Sequence, residues 1–101
     1  MAKYVYPAVF SQEGETILVD FPDFDSCYTE GADLIDAIEM GQDVLCLTLY
    51  CMEEGMATPP ASSDITTMQI PANSFATLIA CDTDEYRHYY QAASVKGHTH
   101  A

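Results

Sequence analysis

The chain has 101 residues, enough for one domain built around a single apolar core. Its hydrophobic content of 49% excludes wholesale disorder, and no apolar run approaches the roughly 20 residues of a membrane span. With 16 Asp and Glu against 3 Lys and Arg the formal net charge is −13, a field that repels phosphate backbones and disfavours direct nucleic-acid binding by this chain. Every acid lies between Glu13 and Glu85. Such a surface attracts basic proteins, and it also serves plain solubility. The N-terminal MAKYVYP lacks the apolar stretch of a signal peptide, so the cytoplasm is the expected compartment.

Residues 3–11, KYVYPAVFS, are rich in β-branched and aromatic side chains and read as a strand that is apolar on both faces, hence central in a sheet. Pro7 donates no ladder bond, which predicts a bulge or a solvent-directed nitrogen there. QEGE at 12–15 is a turn with Gly14 free to take positive φ, and TILVDF at 16–21 completes a hairpin. On that second strand Ile17, Val19 and Phe21 share one face, with Thr16, Leu18 and Asp20 on the other. Pro22 ends it, FPDFD turns the chain, and SCYTEG at 26–31 is a short third strand.

A long helix follows over 32–55, with Thr29 or Asp33 as its N-cap and Gly55 at its C-cap. In its first half Leu34, Ile35, Ala37, Ile38 and Val44 are placed to face a sheet, while Asp36, Glu39 and Asp43 mark the solvent stripe. Its second half, VLCLTLYCM, is apolar nearly all round and must be covered on two sides, either by the chain's own later segments or by another chain. MATPPASSD is a loop, ITTMQIPANS is extended, and FATLIACD at 75–82 is a fourth strand. TDEYRHYYQAAS opens a second, short helix capped by Asp82 or Thr83, and KGHTHA is a polar tail. The order is β-β-β-α-β-α, a sheet with a helix packed on it, of the α+β class.

The chemistry-bearing residues do not assemble into a catalytic set. Asp20, Asp23, Asp25 and Glu30 cluster in sequence, but a two-metal centre needs carboxylates converging from neighbouring strands on ions about 4 Å apart, and the first strand carries no acid. His88, His98 and His100 all fall in the last fourteen residues, and no spacing pairs one of them with a buried cysteine. Cys27, Cys46, Cys51 and Cys81 contain no C-x-x-C pair. Cys46 and Cys51 stand about 140° apart around a helix at roughly 100° per residue. All four therefore read as buried, reduced thiols, with no metal site and no cofactor.

YPAVF, ILVDFPDFDSCYTEG, the acidic-apolar helix DLIDAIEMGQDVLCLTLYCMEEG and the TPPAS loop, in that order and spacing, resemble the HicB antitoxin family over residues 4–62. FATLIACDTDEYR is similar to the family's last strand and connecting helix. Asp25-Ser26 departs from the family's usual turn before the position of Cys27. The resemblance implies a partial ribonuclease-H-like β-β-β-α-β domain over residues 1–82, followed at 83–101 by a short C-terminal helix and tail without the family's DNA-binding domain. It implies an antitoxin, not an enzyme, that occludes a small basic HicA-type toxin, an mRNA-cleaving ribonuclease, and that forms dimers or tetramers. Charge then nominates Asp23, Asp25, Glu30, Asp36, Glu39 and Asp43 as partner-binding residues. The apolar half of the helix nominates Leu45, Leu47, Leu49, Tyr50 and Met52 as an oligomer interface. The alternative function is an oligomerising protein-interaction domain with no toxin.

Overall fold

A computed structural model describes residues 2–88. Four strands, β1 (Lys3–Glu13), β2 (Thr16–Asp20), β3 (Tyr28–Gly31) and β4 (Ser74–Asp82), form one sheet in the order β3-β2-β1-β4, with α1 (Leu34–Glu54) between β3 and β4 in sequence. All neighbouring strands are antiparallel. Residues 83–88 begin the short C-terminal helix. The fold is thus mixed α+β, in the element order expected. The tail, with His98 and His100, lies outside the described residues, and among those described no helix is long and apolar enough to cross a membrane.

The hairpin forms where Gly14 takes φ 60° and Glu13 pairs with Thr16. Tyr6, Ala8 and Phe10 of β1, Val19 of β2 and Ile79 and Cys81 of β4 face α1 and are buried. Phe10 and Phe75 stack across β1 and β4 with centroids 5.0 Å apart. On the opposite sheet face Val5, Leu18, Tyr28 and Leu78 are exposed. No bulge forms at Pro7. The β1–β4 register runs unbroken through Pro7 and Leu78, while β2 pairs with β1 only from Val9 onward. The proline therefore sits, buried, where β1 has one strand neighbour and the β2 ladder asks nothing of its nitrogen.

Asp33 caps α1, its Oδ1 accepting from the Asp36 amide at 2.8 Å. The helix approaches β3 and β2 through two glycines: a Cβ on Gly31 would lie 2.3 Å from the Ala37 nitrogen, and one on Gly41 would lie 3.2 Å from Val19 Cγ1. These contacts set the buried stripe as Ala37, Gly41, Leu45, Cys46 and Leu49. Leu34, Ile35 and Ile38 are exposed instead of facing the sheet, Ile35 at 71%, because the close approach at Ala37 and Gly41 turns that stripe inward and these three away from it. At the other end Gly55 is the C-cap with an ordinary φ of −86°, and the left-handed residue is Met56, φ 59°. Met56 and Ala57 amides return to the Glu53 and Met52 carbonyls, closing the helix.

The segment 65–67 is a turn rather than a strand. Asp64 Oδ1 accepts from the Thr66 amide at 2.9 Å and its hydroxyl at 2.6 Å, an Asx turn that competes with extension. Those same bonds hold the Asp64 carboxyl below its ordinary pKa.

Candidate protein-interaction surface

The six nominated acids fall into separate places, and two of them are committed to the fold. Asp23 Oδ2 accepts from the Ser63 amide at 2.9 Å, and its other oxygen takes the Ser63 hydroxyl. It thereby pins the long loop over the Phe-Pro-Asp turn, where Phe24 packs edge-on against Tyr6 at 4.7 Å and the Tyr6 hydroxyl donates to the Pro60 carbonyl. Burial, then the Asp23 charge, raises the Tyr6 pKa. Asp36 Oδ2 accepts from the Ala32 amide at 2.8 Å and belongs to the helix cap. Asp25 is exposed beside the same loop, in a shallow hollow with Met52 and Thr58. Glu30 is exposed on β3, opposite Leu18 on the sheet face turned from α1.

Glu39 and Asp43, one turn apart on α1, line an open cleft of about 350 Å³ together with Gln42, Cys46, Asp82, Glu85 and Tyr86. Asp82 Oδ1 accepts from the Asp84 and Glu85 amides at 3.0 and 3.4 Å, so it caps residues 83–88. Asp82 and Glu85 read in the sequence only as helix-start acids. Nothing local to them says that β4 carries them to the flank of α1. Among the described residues no group of three His, Cys, Asp or Glu side chains is placed to hold a metal.

The nominated oligomer interface needs a correction. Leu45 and Leu49 are fully buried beneath the chain's own sheet and are unavailable to a second chain. Tyr50 meets Tyr86 at 5.8 Å, and the Arg87 guanidinium lies 5.0 Å above its ring. Met52 is half-buried, and Leu47 alone of the five is exposed, at 41%. The second half of the helix is covered on one side by strands and on the other by residues 83–88. Those residues dock through Thr83 and Arg87: Thr83 Oγ1 donates to Glu53 Oε2 at 2.8 Å, and Arg87 Nη2 meets Glu53 at 3.1 Å and Glu54 at 3.4 Å. Tyr4 also donates to Glu53, at 2.9 Å, and that bond is the main cause of its raised pKa.

Three cysteines are buried as expected, but Cys51 is exposed, since it lies on the side of α1 turned from the sheet. Burial raises the Cys27 thiol, which accepts from Thr48 Oγ1 at 3.4 Å. The hydrogen bond with Cys46, followed by burial, holds the Cys81 thiol far above its usual range. The same hydrogen bond lowers the Cys46 thiol, against the burial that opposes it.

No family model and no curated protein matches the chain. Among solved structures it is similar to a chain of a toxin–antitoxin complex from Streptococcus pneumoniae, with 26% identity over 84% of this chain and 73% of that one and a TM-score of 0.77. It is also similar to a chain of the HicA3 and HicB3 toxin–antitoxin complex, at 16% identity over 78% of this chain and 99% of that one, TM-score 0.64. The fold is one found in toxin–antitoxin complexes.

Proposed function

We propose that this chain is a HicB-like antitoxin that binds a small basic HicA-type ribonuclease and occludes it, with no catalysis of its own. The observation that carries the reading is the fold shared with chains of two toxin–antitoxin complexes, at a TM-score of 0.77 for the first. The charge of −13 supports it, since an acidic protein competes with RNA for a cationic surface. Residues 1–82 are the toxin-binding unit in this proposal, with 83–101 as the appended helix and tail. Of the nominated acids, Asp25, Glu30, Glu39 and Asp43 are the ones proposed to meet the toxin, because Asp23 and Asp36 already serve the fold.

The test is RNA cleavage by a HicA-type toxin, with the full chain titrated in. Inhibition saturating at a fixed molar ratio is the expected result. Reversing Glu30, Glu39 and Asp43 together to Lys should weaken inhibition at least about tenfold, more at low salt than at high. Unabated cleavage, with no complex on a sizing column, refutes the proposal.

A further inference from the structure

The two ends of the sheet are not alike. β3 is four residues long and carries Glu30, whereas β4 has nine residues and no charge from Ser74 to Cys81. Among the described residues β4 pairs with a strand, β1, along one side only. Natural proteins guard such edges by shortness, charge, proline or a bulge. Among the described residues β4 has none of these, its register with β1 is continuous from Ser74 to Asp82, and α1 covers its free side at Ala80 through Gln42.

The direction of its free groups can be worked out. In an antiparallel ladder both backbone groups of a residue point to the same side, and the side alternates along the strand. Gln42 Nε2 donates to the Ala80 carbonyl at 3.0 Å from α1. Ala80 therefore faces away from β1, and so do the backbone groups of Ala76 and Leu78, while Thr77 and Ile79 face β1. Phe75 and Leu78 are half-exposed along this edge. Gln42 also lines the cleft of Glu39, Asp43, Asp82 and Glu85, so the acid-lined cleft and the open edge adjoin.

We propose that an extended segment of a basic partner adds to the open edge of β4 as a fifth strand, with its cationic side chains entering the adjoining cleft between α1 and β4. The proposal rests on the toxin-binding reading and names the place and mode of that contact. Strand addition draws affinity from main-chain bonds, which any sequence can make, and specificity from side-chain pockets. Here the specific element is acidic, so it selects Lys or Arg. A second copy of the chain is the disfavoured occupant. Two-fold pairing of β4 edges would bring two chains of −13 together, cleft acids included.

The experiment is residue-resolved amide hydrogen exchange on the full chain, alone and with saturating HicA-type toxin. The Ala76 and Leu78 amides should slow at least about tenfold on complex formation, while Thr77 and Ile79 are protected in both states. Glu39→Lys with Glu85→Lys should raise the dissociation constant at least about tenfold without changing exchange of the free chain. A complex that leaves Ala76 and Leu78 unprotected overturns the inference and leaves the antitoxin reading standing. Protection that grows with concentration of the chain alone assigns the edge to a second copy and overturns it as well. Failure to form any complex overturns both.

Discussion

Replacing Gly31 by Ala should unfold the α1–β3 contact, and the structure sets the size of the effect. The added methyl would lie 2.3 Å from the Ala37 nitrogen, 2.5 Å from its Cα and 2.9 Å from its Cβ. Two of these are backbone atoms of the helix's first turn, which the Asp33 cap and the bond from the Ala37 amide to the Asp33 carbonyl at 2.9 Å hold in place. Overpacking costs about 1–3 kcal/mol when side chains can move aside. Here the helix itself must move, so the cost is about 3 kcal/mol or more. For a domain of this size each kcal/mol lowers Tm by roughly 4–8 °C, giving a loss of about 12–24 °C. Gly41→Ala is the control. Its methyl meets Val19 Cγ1 at 3.2 Å and Phe21 Cζ at 3.9 Å, both side-chain atoms, and removing glycine from a helix interior contributes about 1 kcal/mol, so the net change should stay within about 1 kcal/mol of zero. Far-UV circular dichroism through thermal and urea unfolding measures both. A Gly31→Ala variant melting within about 4 °C of the parent, or a Gly41→Ala variant falling as far as Gly31→Ala, would refute the packing argument.

Leu45→Ala should cost about 2–5 kcal/mol, because Leu45 is fully buried, while Leu47→Ala, two residues on and exposed, should cost under about 1 kcal/mol; equal losses in urea titrations would contradict the assigned helix faces. Met56→Gly should stabilise by about 1 kcal/mol, since Met56 holds φ 59° and is 92% exposed, so relief of left-handed strain comes with little lost packing; a lower Tm would show that the side chain matters more than its backbone. Asp20 lies between Val9 and Tyr28 in register, and partial burial raises its pKa, so its contribution to stability is greatest below its unfolded value of about 3.9 and is lost as pH rises through the folded value. Asp20→Asn should therefore gain on the parent as pH moves from acid to neutral, and a pH-independent difference in unfolding free energy would reject that account.

Much of this molecule was fixed by local chemistry. Period-two alternation placed Val19 and Phe21 on the core face, Gly14 marked the hairpin, and Asp33 marked the helix start, because turns and caps are decided by residues within a few positions of each other. The excess of acid was equally legible, since net charge is a sum. What needed the tertiary structure was every statement about which copy of an apolar or acidic residue is available. Leu34, Ile35 and Ile38 are apolar and read as a sheet-facing set, yet the stripe through Ala37 and Gly41 is the one turned to the strands, and Leu45 and Leu49 look like a surface until residues 83–88 and the strands close over that half of the helix. Asp23 and Asp36 count as charges in the sequence and as hydrogen-bond acceptors of the fold in space. Glu39, Asp43 and Glu85 become neighbours only because β4, paired antiparallel with β1, returns the chain to the flank of α1. That return depends on contacts between residues far apart in sequence, and no local pattern encodes them.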